Sequence, residues 1–89
     1  MSRYTITWLP KAEARLAHLW LNTTNQQAFA NAIDRIEREL GADPYRNSIS
    51  ISARVWEIES SPIVVMFRIS EADRLVEIVN LKELGPLPE

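Results

Sequence analysis

The sequence predicts an α+β domain with elements in the order strand, helix, helix, strand, strand, strand, in which a helical hairpin packs on one face of an antiparallel sheet. Three observations lead there. Residues 4 to 8 alternate in polarity as a strand does. Two stretches with helical spacing of apolar residues follow, separated by a few polar residues. Beyond Pro44 the period drops to two.

The first strand, Tyr4 to Trp8, runs into Pro10, which suits the first turn of a helix because its missing N–H would find no partner there anyway. The helix that follows reaches Leu21 or Asn22. Lys11, Arg15, His18 and Asn22 form one polar stripe, with Ala12, Leu16, Leu19 and Trp20 mostly opposite. Ala14, Ala17 and Leu21 widen the apolar arc beyond one contact surface, so this helix is expected to be buried on more than one side.

Thr24 with Gln27 reads as a capping box opening a second helix, along which Phe29, Ile33, Ile36 and Leu40 make an apolar stripe. Asp34 and Arg38 are spaced for an i, i+4 ion pair. Gly41 is the expected stop and Pro44 bars continuation. A strand is predicted over residues 53 to 59, a turn at Ser60, Ser61 and Pro62, and a strand with Ile63, Val65, Phe67 and Ile69 on one face. Glu71, Ala72 and Asp73 turn the chain into a last strand from Leu75 to Leu81, and the tail from Gly85 carries no element. The first strand must join the sheet, because a lone strand leaves its backbone unpaired.

Composition narrows the function. The chain has 89 residues, enough for one domain, and no cysteine, which excludes disulfides, thiolate metal sites and cysteine nucleophiles. A single histidine excludes a multi-histidine zinc site, and no metal or other cofactor is expected. The beginning of the chain does not read as a signal peptide and no apolar run approaches the length of a membrane span, so a cytoplasmic protein with no membrane partner is expected. Residues 1–45 carry five basic and five acidic groups, and residues 46–89 five basic and seven acidic, for a net charge of −2. Neither half is a basic tail suited to nonspecific binding of nucleic acid.

Four local pieces, Trp8-Leu-Pro-Lys-Ala through Leu19-Trp20, Asp43-Pro-Tyr-Arg46, Ala53-Arg-Val-Trp56, and Pro62-Ile-Val-Val-Met-Phe-Arg-Ile69 with Arg74-Leu-Val-Glu-Ile-Val79, come in an order and spacing that resembles the RelE/ParE family of small bacterial toxins, also known as plasmid stabilisation proteins. The resemblance covers nearly the whole chain. It implies the toxin of a type II toxin–antitoxin pair, with a cognate antitoxin whose flexible segment folds onto it. The RelE-like branch cuts mRNA on the ribosome and the ParE-like branch inhibits DNA gyrase, so the ribosome and gyrase are the two candidate targets; a homodimer stays open.

Metal-free RNA cleavage requires a group to take the 2′-hydroxyl proton, cations for the developing phosphorane charge and an acid for the leaving oxygen. The candidate cations are Arg46, Arg54, Arg68 and Lys82, with Arg54 and Arg68 expected on neighbouring strands, and Glu57 or Glu59 is the candidate base. The resemblance implies an arginine, histidine or tyrosine near the carboxyl end of an RNA-cleaving member. After Lys82 this chain has Glu83, Leu84 and Gly85 instead, and its single histidine, His18, lies on the first helix. Glu57, Glu59 and Glu77 add negative charge to the strands that would face RNA. The ParE-like, non-nucleolytic side is therefore favoured, with a RelE-like ribonuclease and a non-toxic binding module as alternatives.

The bland readings make Arg54 and Arg68 surface arginines paired with Glu57, Glu59 or Glu77 across strands, Lys82 a solvated strand end, and Trp8, Trp20 and Trp56 core or interface aromatics. Val64 and Met66 lie on the face opposite Phe67. They are expected to form an exposed apolar strip that binds the antitoxin together with Arg68 and Trp20.

Overall fold

The computed structural model describes residues 3–84; the tail from Gly85 lies outside the described residues. The elements are β1 (Thr5–Trp8), α1 (Pro10–Asn22), α2 (Gln26–Ala42), β2 (Ser48–Ser50), β3 (Trp56–Ser60), β4 (Ile63–Ser70) and β5 (Leu75–Glu83). The five strands form one sheet in the order β1-β5-β4-β3-β2, and both helices cover one of its faces.

The α+β class and element order follow the sequence pattern. Two details differ. β1 joins the sheet parallel to β5, Thr5 opposite Leu75 and Trp8 opposite Ile78, so the sheet is mixed. β5 already has β4 on one side, and β1 takes its other edge while feeding α1 directly onto the covered face. β2 is an additional edge strand: Ser48, Ile49 and Ser50 pair antiparallel with Ile58, Glu57 and Trp56. Between β2 and β3 the chain bends through Ser52, Ala53 and Arg54, so β3 starts later than the alternation suggests.

The core is built from three inward rows. α1 supplies Ala12 and Leu19, α2 supplies Phe29, Ala32, Ile36 and Leu40, and the sheet supplies Ile58, Ile63, Val65, Phe67, Val76, Ile78 and Leu81. On β5 these residues are spaced by two and then by three. The irregularity is a β-bulge: Met66 lies opposite Asn80 while Phe67 lies opposite Ile78, leaving Val79 as the extra residue and returning Leu81 to the core face.

Helix ends show a second correction. Thr24 is not the cap of α2. Asn25 is, its Oδ1 accepting from Ala28 N at 3.0 Å. Thr23 closes α1 and donates its hydroxyl to Glu83 at 2.9 Å, which leaves Thr24 to reverse the chain. The helix runs one residue past Gly41, and the N–H of Asp43 bonds back to Glu39 O at 2.9 Å. The Asp34–Arg38 pair forms at 2.8 Å.

Two burial expectations are overturned. Ala14, Ala17 and Leu21 are exposed, so α1 packs on one side only. Two helices lying on one sheet leave the outer arc of each in solvent, and the described residues supply no third layer to cover it. Val64 is buried at 2% exposure and Met66 is half-buried, so they make no open apolar strip. In register Val64 sits between Glu59 and Lys82, and the aliphatic stems of such long side chains shield a small residue between them.

Candidate functional site

Pro44 ends α2 and is itself fully buried. The next residue is thereby delivered to the start of the sheet, and an Asx-type turn holds it there: Tyr45 N donates to Asp43 Oδ1 at 3.0 Å. The Tyr45 ring meets Trp56 edge to face, with centroids 5.3 Å apart and planes at 79°. Arg54 arrives from the bend before β3, and Arg68 and Glu77 from adjacent positions on β4 and β5. Together with Ala53, Ile69 and Ser70 these side chains line an open pocket of about 550 Å³ at one end of the sheet.

A brace beside the pocket joins the residue before β1 to the turn between β4 and β5, far apart in sequence. The Tyr4 hydroxyl donates to Glu71, and the Arg74 guanidinium lies 5.2 Å from the Tyr4 ring centroid. Arg74 holds a left-handed backbone, φ 49°, in the turn between β4 and β5. The hydrogen bond from Tyr4 is the main cause that holds the Glu71 carboxyl below its ordinary value; desolvation works against it, and Tyr45 and Arg74 assist. Desolvation, then the neighbouring Glu71, pushes the Tyr45 phenol up to about 12. At neutral pH Tyr45 is a donor and not a base.

Of the six candidates for chemistry, four cations and two glutamates, the fold brings two together in the pocket. Arg54 and Arg68 share the pocket, although Arg54 lies in a bend and not on a strand. Lys82 pairs with Val64, four residues along β4 from Arg68, which is roughly 13 Å away at strand rise. Glu57 pairs with Met66 and, like Glu59, does not line the pocket. His18 is exposed on α1. Arg68 is paired with Glu77, as the cross-strand reading expects; among the described residues Arg54 forms no ion pair. Tyr45 and Trp56 are pocket residues that the sequence reading missed as such. The signal for Tyr45 was present in Asp43-Pro-Tyr, where a helix stop and a turn-forming aspartate aim the following side chain.

The pocket thus offers two guanidinium groups, a neutral phenol and a carboxylate already engaged by one of the arginines. This set suits anionic or planar groups.

A second surface lies between the helices. Leu16, Ala17 and Trp20 of α1 face Phe29, Ala30 and Ile33 of α2 across a groove of about 520 Å³, with Glu13, Asp34 and Glu37 at its margin. Trp20, one of the expected partner residues, is 38% exposed here. Of the others, Arg68 is in the pocket, and Val64 and Met66 are on the sheet's far face.

Among the described residues no group of histidine and carboxylate side chains could hold a metal ion, and no helix is long and apolar enough to cross a membrane.

No family model matches the sequence, and no curated protein matches it. Its fold does match solved structures. A chain of the toxin–antitoxin complex RelBE2 from Mycobacterium tuberculosis superposes with a TM-score of 0.78 at 17% identity, over 91% of this chain and 98% of that one. The isolated RelE toxin of E. coli matches with a TM-score of 0.65 at 10% identity, over 94% and 87%. The archaeal RelE–RelB complex from Pyrococcus horikoshii matches with a TM-score of 0.61 at 15% identity, over 98% and 100%.

Proposed function

We propose that this chain, which has the RelE fold, is the toxin of a type II toxin–antitoxin module and is held inactive by a cognate antitoxin. The observation that carries this reading is the match to a chain of the RelBE2 complex over 91% of this chain and 98% of that one. Two of the matching structures are the RelBE2 toxin–antitoxin complex and a RelE–RelB complex, and a chain of this size gains stability by linkage from a partner that covers apolar surface.

The toxin acts by binding, on the ParE-like side. The pocket supports this. Arg68 is engaged by Glu77, Tyr45 is held protonated, and Lys82 stands at the far end of the strand, so the parts of a phosphodiester-cleaving site are not assembled. Residues after Lys82 add neither histidine, tyrosine nor a cation.

Regulated expression in a bacterial host without an antitoxin tests the reading. Growth is expected to slow while mRNA stays intact, and Arg54→Ala with Arg68→Ala is expected to restore growth. Normal growth under strong expression would remove the toxin assignment. One observation favours the alternative, a RelE-like ribonuclease: Arg54 and Arg68 do meet in one pocket beside two aromatic rings. Ribosome-dependent mRNA cutting that disappears in both arginine variants would establish that alternative and displace the binding mechanism.

A further inference from the structure

An apolar surface lies open between the helices. Phe29 forms the floor of the groove at 1% exposure, and Trp20 stands edge-on to it with ring centroids 6.0 Å apart. The surface continues around α1. Ala14, Ala17 and Leu21 recur at i, i+3 and i+7, all exposed, with Leu21 at 75%. One exposed leucine means little, but an apolar stripe continuous with an apolar groove marks an interaction surface.

The shape of the groove selects a helix. Both walls are helices, whose backbone groups are already paired, so an extended segment laid here would find no ladder partners. α1 is 13 residues long, about 20 Å, which matches a partner helix of three to four turns set ridge into groove.

The margin selects the charge. Glu13, Asp34 and Glu37 line it, and among the described residues no cation does. Arg38 pairs with Asp34 at 2.8 Å and Glu37 accepts from Trp8 Nε1 at 3.0 Å, which still leaves the rim negative. The basic stripe of α1 lies on its other side, where Arg15 reaches Leu81 O at 3.4 Å. A second copy of this chain, docked by the same face about a two-fold axis, would set these carboxylates against their own kind.

We propose that the α1–α2 groove docks an amphipathic helix of a partner protein whose apolar stripe is flanked by lysine or arginine. The inference deepens the antitoxin partnership proposed above and rests on it for its biological setting.

The test is a displayed library of helical peptides with a fixed leucine stripe and randomised flanking positions, selected against the full chain. Lysine and arginine are expected to be enriched at the flanks. The selected peptides are expected to bind the Ala17→Arg variant at least about tenfold more weakly, and Glu13→Lys with Asp34→Lys is expected to shift selection toward acidic flanks. Selection with no basic bias, peptides that bind Ala17→Arg undiminished, or a homodimer that Ala17→Arg dissolves would each overturn the proposal. Growth inhibition is read separately. A chain that slows growth yet selects no such helix keeps the toxin reading and loses this one, while a chain that selects basic-flanked helices without slowing growth does the reverse.

Discussion

Arg68 Nη2 lies 3.3 Å from Glu77 Oε1 across the β4–β5 pair, so one of the two cations in the sheet-end pocket is already answered by a carboxylate from the next strand. The pocket therefore carries less free positive charge than its arginines alone suggest. Glu77→Gln is expected to release the guanidinium and to strengthen binding of a single-stranded RNA probe at low salt, an effect that fades as salt rises. Filter binding across a salt series measures it. Because both side chains are partly exposed, stability is expected to change by less than about 1 kcal/mol. Unchanged affinity would mean that Arg68 does not govern the pocket's charge.

Neighbouring residues on β4 face opposite sides and should respond very differently to truncation. Phe67 is fully buried in the core and Arg68 is exposed. Phe67→Ala is expected to cost about 3–5 kcal/mol, a large share of a small domain's stability. Arg68→Ala is expected to stay within about 0.5 kcal/mol. Urea unfolding of the two variants separates them, and equal midpoints would contradict the assigned register.

The start of α2 offers a similar comparison. Asn25 supplies the cap and Thr24, one residue earlier, does not. Asn25→Ala is expected to lower stability by about 1 kcal/mol, and Thr24→Ala to leave it within about 0.5 kcal/mol. Thermal unfolding followed by far-UV circular dichroism checks the order, and a larger loss at Thr24 would restore the capping box read from the sequence.

Glu71 in the brace and Tyr45 in the pocket give stability a pH dependence of opposite sign. The folded-state pKa of Glu71 is lowered, chiefly by the Tyr4 hydrogen bond. Its contribution is present above the unfolded carboxylate value, about 4.3, and is lost as pH falls through the lower folded value. The Tyr45 phenol is raised by desolvation to about 12. Its contribution is complete below the unfolded value of about 10 and disappears as pH rises through the folded one. Tyr4→Phe is expected to be less stable than the parent at neutral pH, with the gap closing in acid. Phenolate absorbance is expected to show a component ionising near 12 in the parent that Tyr45→Phe loses. A gap that stays constant into acid would show that Glu71 and Tyr4 do not stabilise the fold together.

Much of the fold was legible because it rests on local periodicity. Phe29, Ile36 and Leu40 repeat at helical spacing, Ile63, Val65 and Phe67 at strand spacing, and each group is buried as that spacing implies. The β5 bulge was not legible: Leu75, Val76, Ile78, Val79 and Leu81 are all apolar, and only the pairing with β4 decides which of them face the core. β2 was not legible, because Ser48-Ile-Ser50 is three residues long and owes its conformation to pairing with β3.

The candidate site was half legible. Arg54 and Arg68 could be named, but their company could not. Tyr45 reaches them through the end of a helix, Glu77 through the register of β5, and Lys82 is kept apart from them by that same register. The exposed arc of α1 is the sharpest case. Ala14, Ala17 and Leu21 read from sequence as a second buried side. Sequence by itself determined the class of fold, the helix stripes and the absence of thiol chemistry, since each depends on residue type and spacing along the chain. Which apolar face is covered, which cation is neutralised and where the acidic-rimmed groove opens were decided only in the tertiary structure, because each depends on what stands opposite a residue in space.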